Sequence, residues 1–165
     1  MSSAQVHAVP RFADFKAALV TFAERGKDAL SANSMEIRRA RDWLDSQASF
    51  WKVEIRRSEE AVAHARNELA RKRMMRIGDR PPDTTDQEIA LRRAQARLAH
   101  AEEKADNTRT WTRQLPDAVE EYDGQARPFQ DVLEHDLARM VAFIEQKMAA
   151  LEEYQRIQTG TGGAS

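Results

Sequence analysis

The sequence contains no cysteine, and it is poor in glycine, proline and aromatic residues. Without cysteine the chain has no disulfide framework, no thiolate nucleophile and no zinc–thiolate site. Only 6 glycines, 5 prolines and 7% aromatic residues occur among 165 residues, which argues against a protein built from short strands and frequent turns. The abundance of alanine, glutamate, arginine and leucine favours long helices instead.

Long hydrophobic runs and a large charge of one sign are missing as well. No segment approaches the run of about 18 apolar residues that predicts a membrane span. The first ten residues have neither the basic nor the apolar region of a secretory signal. The formal net charge of −1 argues against unspecific binding of a polyanion by the whole chain. We therefore expect a soluble, cytoplasmic, helical protein.

Apolar and small residues recur at alternating steps of three and four along most of the chain. Sustained over many heptads, this spacing is typical of coiled-coil-like helices that share a narrow buried seam. The predicted seam includes Phe12, Phe15, Leu19, Phe22, Gly26, Ile37, Leu44, Trp51, Ile55, Ser58, Val62, Ala65, Leu69, Leu91, Leu98, Ala101, Ala105, Thr108, Leu115, Tyr122, Phe129, Leu133, Leu137, Met140 and Ile144.

The strongest break in this pattern is the Gly-Asp-Arg-Pro-Pro-Asp segment that starts at Gly78. Glycine can close a helix and two prolines cannot continue one, so residues 78–84 are the predicted turn. Thr85 and Glu88 have the spacing of a capping box at the start of the next helix. Since a short turn makes successive helices antiparallel neighbours, the sequence predicts an all-α fold based on a long antiparallel helical hairpin.

The register of this hairpin can be tested with residue numbers, because facing residues of an antiparallel pair have a constant sum. Leu69 with Leu91 and Ile55 with Ala105 both give 160, and Leu44 with Leu115 gives 159. The same sum of 159 continues outward through Gly26 with Leu133, Phe22 with Leu137, Leu19 with Met140 and Phe15 with Ile144.

Further break signals occur at 31–33 on one side and at 123–128 on the other. If the helices run through them, the terminal helices extend the hairpin. If both helices end there, the terminal helices fold back into a four-helix bundle around residues 35–51 and 108–124. The predicted helices are about 11–30, 34–77, 85–123 and 128–157, within one domain at 11–158 that lies between a flexible N-terminus (1–10) and a disordered tail (159–165).

Trp43, Phe50 and Trp111 lie beside the seam rather than on it. The folded-back bundle would bury them, which favours that alternative, and an oligomer would bury them equally well. We take these three residues as a candidate apolar interface.

Sites for chemistry are hard to find in this pattern. Glu60 and His64 have a spacing that can bind metal, but both fall off the apolar seam, where a surface pair is the simpler interpretation. Acidic residues fall on solvated faces, and the Gly-rich C-terminus has no strand before it that would make a phosphate-binding loop. We therefore expect neither enzymatic activity nor a cofactor or bound metal.

Charge is distributed unevenly along the chain. Residues 52–113 carry a net charge of +4 and residues 114–165 carry −6. Cations and methionines gather at the hairpin turn, and the sequence predicts that this basic tip docks on an acidic partner, unless its arginines only pair with nearby carboxylates. The basic tip comprises Arg71, Lys72, Arg73, Met74, Met75, Arg76, Arg80, Arg92 and Arg93.

Together these features indicate a non-enzymatic helical interaction protein, such as a spacer, an adaptor or a chaperone-like subunit, that binds a protein partner or a second copy of itself. The alternative is a nucleic-acid-associated protein that uses the basic tip. Nucleic-acid binding is the weaker hypothesis, because no aromatic residue interleaves the basic run.

Overall fold

The computed structural model describes residues 8–75 and 81–161. Within these ranges every residue is helical except Met75 and residues 81–84. The chain forms an all-α helical hairpin, so the predicted fold class is confirmed. Helix α1 spans Ala8–Met74, helix α2 spans Thr85–Asp131, a π-helical turn spans Val132–Asp136, and helix α3 spans Leu137–Thr161.

The chain divides into two compact units. Unit 1 consists of Met1–Glu36 and Glu120–Ser165, and unit 2 consists of Ile37–Val119. Each unit therefore contains one segment of α1 and one segment from the second half of the chain.

In unit 2 the two helices run antiparallel, as the turn at 78–84 predicts. Arg73, near the end of α1, pairs with Glu88, near the start of α2, at 3.4 Å. Glu54, earlier in α1, pairs with Arg97, later in α2, at 2.6 Å. Every residue that is buried in this unit belongs to the predicted seam, which is confirmed here. These residues are Leu44, Ser58, Val62, Ala65, Leu69, Ala101 and Thr108.

In unit 1 the seam is displaced from its predicted position on α1. Phe15 and Phe22 are about half exposed, so their prediction as seam residues opposite Ile144 and Leu137 is wrong. The partly buried positions include two predicted seam residues, Leu19 and Gly26, and the small residues Ala13 and Ala23, which let the two helices approach more closely than phenyl rings would. These positions are Val9, Ala13, Lys16, Leu19, Ala23, Gly26 and Leu30.

The π-helical turn changes the seam on the opposite helix. Leu133 and Leu137 are buried as predicted, but Met140 is 44% exposed and Val141 takes the partly buried position. In this turn the N–H of Leu137 bonds to the carbonyl of Val132, five residues back instead of four. The change is confined to Met140 and Val141, since Ile144 is again buried as predicted.

The helices do not end at the predicted breaks on which the folded-back bundle depends. α1 continues through 31–33, where the side-chain amide of Asn33 donates to the hydroxyl of Tyr122 at 3.1 Å instead of capping a helix. α2 continues through 123–128, although it contains Gly124 and Pro128. Packing against α1 overrides these local signals, as tertiary contacts commonly override helix propensity.

The start of α2 is capped by Asp83, not by Thr85 as the capping-box prediction holds. One carboxylate oxygen of Asp83 accepts from the backbone N–H of Thr85 at 3.0 Å and from its hydroxyl at 2.7 Å. Glu88 accepts from the hydroxyl of Thr84 at 3.0 Å. A charged oxygen is the stronger acceptor at the positive end of a helix dipole, which explains the choice of Asp83.

The helix bounds also differ from the predicted ones at the chain ends. α1 begins at Ala8, within the segment 1–10 that is predicted to be flexible, and Pro10 falls in its first turn, where a missing N–H costs nothing. α3 ends at Thr161, within the predicted disordered tail 159–165. Residues 1–7, 76–80 and 162–165 lie outside the described part of the chain.

Gly26 and Gly124, which both lie inside helices of unit 1, should respond in opposite ways to alanine. A Cβ on Gly26 would lie 2.7 Å from Cδ1 of Leu133, a side chain that is only 1% exposed and cannot swing away, whereas a Cβ on Gly124 meets no described atom within 4 Å. We expect Gly124→Ala to stabilise the fold by up to about 1 kcal/mol through helix propensity. Gly26→Ala should destabilise it by about 1–2 kcal/mol through overpacking. Chemical denaturation followed by circular dichroism measures both, and equal stabilisation by the two variants would contradict the close approach.

Ser58 should be more stable as alanine. The side chain is 1% exposed, and its Oγ has no hydrogen-bond partner among the described residues. Since a buried unsatisfied hydroxyl is costly, Ser58→Ala should raise the free energy of unfolding by about 1 kcal/mol. Thr108→Val is the control, because the hydroxyl of Thr108 donates to the carbonyl of Lys104 at 2.8 Å and its loss should bring no gain. A loss of stability in Ser58→Ala would contradict this assignment.

Candidate functional site

The candidate apolar interface predicted from the sequence is exposed in unit 2. Trp43, Phe50 and Trp111 are 59%, 52% and 62% exposed, and we call these three residues the Trp face. Trp43 and Trp111 immediately precede Leu44 and Thr112, which line one groove between the two helices. The two indoles therefore lie at the same level of the hairpin, one on each helix.

Phe50 is held by its neighbours. Its ring packs edge-to-face on Trp51 at 4.8 Å between centroids, and Trp51 packs edge-to-face on His100 of α2 at 6.0 Å. The indole N–H of Trp51 donates to the side-chain oxygen of Gln47 at 3.1 Å. These contacts orient Phe50 within the Trp face, although the Phe50 ring itself remains exposed.

Unit 1 has a second apolar surface that the sequence reasoning missed. Phe22 of α1 and Phe129 of α2 meet edge-to-face at 6.3 Å, and both rings remain partly exposed. An ion pair of 2.8 Å joins Lys16 to Glu145, and Phe15 and Phe143 lie within two residues of that pair. The sequence does contain a signal for this surface. The small residues at 13, 23 and 26 can form a seam one position away from the phenylalanines, which are then left outside it. We call the residues of this surface the Phe face: Phe12, Phe15, Phe22, Phe129, Met140 and Phe143.

The described part of the basic tip is partly neutralised. Arg71 pairs with Glu68 at 3.2 Å, and Arg73 pairs with Glu88 at 3.4 Å. Both arginine side chains are more than 60% exposed, and exposed pairs of this kind contribute little to stability. These pairs are the intramolecular alternative that the sequence left open.

The other predicted members of the tip are distributed unevenly. Lys72 and Met74 complete the last turn of α1, and Met74 is 82% exposed. Met75 follows the helix and is 53% exposed. Arg92 and Arg93 lie exposed in α2, about two turns after its start. Arg76 and Arg80 lie outside the described residues.

Unit 2 also contains a groove of about 370 Å³ between its helices. Ile55 and Ala105, which the register pairs, lie in its apolar lining, and Lys52, Arg109 and Arg113 contribute the charged groups. Arg109 is engaged by Asp106 at 2.7 Å. The lining includes basic side chains but no carboxylate. It is therefore suited to a ligand with an anionic group and an apolar part, and it does not provide an acid–base pair. The sequence reasoning did not identify it, because its walls come from two helices.

The described residues contain no group of three or more histidine, aspartate or glutamate side chains that could hold a metal ion. Within the same ranges, no helix is both long enough and apolar enough to cross a membrane.

Comparison with protein-family models, with curated proteins and with solved structures finds no match for this chain. The assignment of function therefore depends on the surfaces described above.

The cap at Asp83 should make stability depend on pH. Hydrogen bonds from the hydroxyl and then the backbone N–H of Thr85 lower the pKa of the Asp83 carboxyl below its ordinary value. Since the folded pKa lies below the unfolded one, the stabilisation is complete above the unfolded pKa of about 3.9 and is lost as the pH falls through the lower folded value. Asp83→Ala should therefore lower the melting temperature at pH 7, and the difference from wild type should shrink in acid.

Asp83→Asn is the control for this experiment, because asparagine caps helices about as well but does not titrate. It should retain most of the stability at pH 7. Thermal unfolding followed by circular dichroism at neutral and acidic pH measures all three proteins. A constant difference between wild type and Asp83→Ala at both pH values would contradict the titration of Asp83.

Proposed function

We propose that this chain is a non-enzymatic helical interaction protein, a spacer, adaptor or chaperone-like subunit, that binds a protein partner through its exposed aromatic surfaces. The main support is the amount of apolar surface that the hairpin leaves in water. Large apolar side chains that are more than a third exposed outnumber the buried ones about three to one among the described residues. Contiguous exposed apolar surface of this kind is typical of interaction sites.

The Trp face is the preferred contact within unit 2. Tryptophan and other aromatic residues are enriched in the few positions that dominate binding free energy at protein interfaces. The three residues belong to two helices, which hold them in place before a partner arrives. Binding to a preorganised surface loses less conformational entropy than binding that must first order a loop.

Nucleic-acid binding by the basic tip remains the alternative, and the ion pairs of Arg71 and Arg73 do not favour it. If it is correct, the combined substitution of Arg71, Lys72 and Arg73 by glutamate abolishes a mobility shift at low salt.

Site-specific photo-crosslinking in the cell that makes the protein tests the proposal. A photoreactive phenylalanine at Trp43 should form a covalent adduct with another polypeptide, and this adduct should survive nuclease treatment. Val53 is the matched control, because it is 52% exposed on the same helix and lies on the side turned away from the seam. Adducts of equal yield at both positions, or no protein adduct at Trp43, would contradict the proposed function.

A further inference from the structure

We infer that the partner of the Phe face is a second copy of this chain, and that the Phe face of unit 1 in one copy docks on the Trp face of unit 2 in another. This inference rests on the proposed function and names the partner that the exposed aromatic surfaces bind.

The apolar area of the Phe face supports this inference. An aromatic side chain buries about 150–250 Å² when it is fully enclosed, so six side chains that are about half exposed present about 500 Å² of apolar surface. A protein interface of standard size buries about 800 Å² per partner, of which somewhat more than half, about 450 Å², is apolar. The Phe face is therefore large enough to form the apolar part of a stable interface.

The Phe face is continuous across two helices. The contact between Phe22 and Phe129 joins the aromatic residues of α1 to those of α2. The ion pair between Lys16 and Glu145 fixes the register one level further along the same pair of helices, beside Phe15. The phenylalanines thus form one surface across two helices rather than scattered exposed residues, which would need no explanation.

The charges of the two units select the occupant of the Phe face. Unit 1 carries 8 basic and 13 acidic residues, a net charge of −5, whereas unit 2 carries 18 basic and 14 acidic residues, a net charge of +4. Docking unit 1 on the unit 1 of another copy brings two negative surfaces together. Docking it on unit 2 brings opposite charges together, which steers encounter and disfavours the like-with-like arrangement.

The receiving surface has the matching character. The Trp face is apolar, and the exposed basic residues Arg97, which also pairs with Glu54, and Lys104 precede Trp111 on the same helix. A surface of tryptophan side chains beside basic residues is complementary to an apolar surface on an acidic unit. A single contact between unlike faces therefore covers aromatic surface in both units.

Sedimentation of the full-length chain over a range of protein concentrations tests this inference. Wild type should sediment with a mass above that of one 18.8 kDa chain, and higher salt should weaken the association because the opposite charges are screened. Phe15→Ser with Phe143→Ser removes the Phe face, and Trp43→Ser with Trp111→Ser removes the Trp face. Each double variant alone should raise the dissociation constant about 30-fold or more, as the loss of central aromatic residues at an interface does.

Mixing is the decisive measurement. The variant without a Phe face still has a Trp face, and the variant without a Trp face still has a Phe face. An equimolar mixture of the two should therefore form a complex that neither forms alone. If the variant without a Trp face still associates with itself, the faces pair like with like and the inference is overturned.

The control variant combines Met35→Ser with Val53→Ser, two side chains that are each 52% exposed and lie outside both faces. It should associate like wild type, and helicity from circular dichroism should be unchanged in all variants because every substituted residue is exposed. Loss of association in the control would overturn the assignment to the two faces. A monomeric wild type overturns the inference but leaves the proposed function standing if Trp43 still crosslinks to a different protein, and the proposed function fails as well if it does not.

Discussion

The close approach of two helices along a seam of small residues is the constraint on which the other features depend. Gly26 leaves room for Leu133, and buried Ser58 and Ala101 occupy the predicted facing positions in unit 2. Such close packing gains dispersion energy over a narrow stripe only. In unit 1, Phe15 and Phe22 lie beside this stripe and stay about half exposed.

This arrangement separates stability from recognition. The buried aliphatic and small residues hold the hairpin together, whereas the Phe face and the Trp face add little to the fold of the single chain. Exposed aromatic surface is costly in water, and it is usually retained where a partner covers it. The charge difference between the two units favours contacts between unlike surfaces, because opposite charges attract.

Several elements were predictable from the sequence because they depend on short-range chemistry. The two prolines after Gly78 and the heptad spacing on both sides predict the antiparallel hairpin, and the constant sum of residue numbers correctly pairs Gly26 with Leu133. The seam of unit 2 agrees with the prediction at every buried position. The break signals at 31–33 and 123–128 misled the prediction, because they report local propensity, and packing against the partner helix outweighs it.

The helical class, the position of the turn and the register follow from the sequence alone, since periodicity and helix-breaking residues act over a few residues. Which of two adjacent stripes on α1 becomes the seam in unit 1 depends on packing against the opposite helix. Phenylalanine has the greater hydrophobicity, but Ala13, Ala23 and Gly26 allow the closer approach, and this geometry depends on the opposite helix and its π-helical turn. For the same reason the Phe face is visible only once both helices are in place.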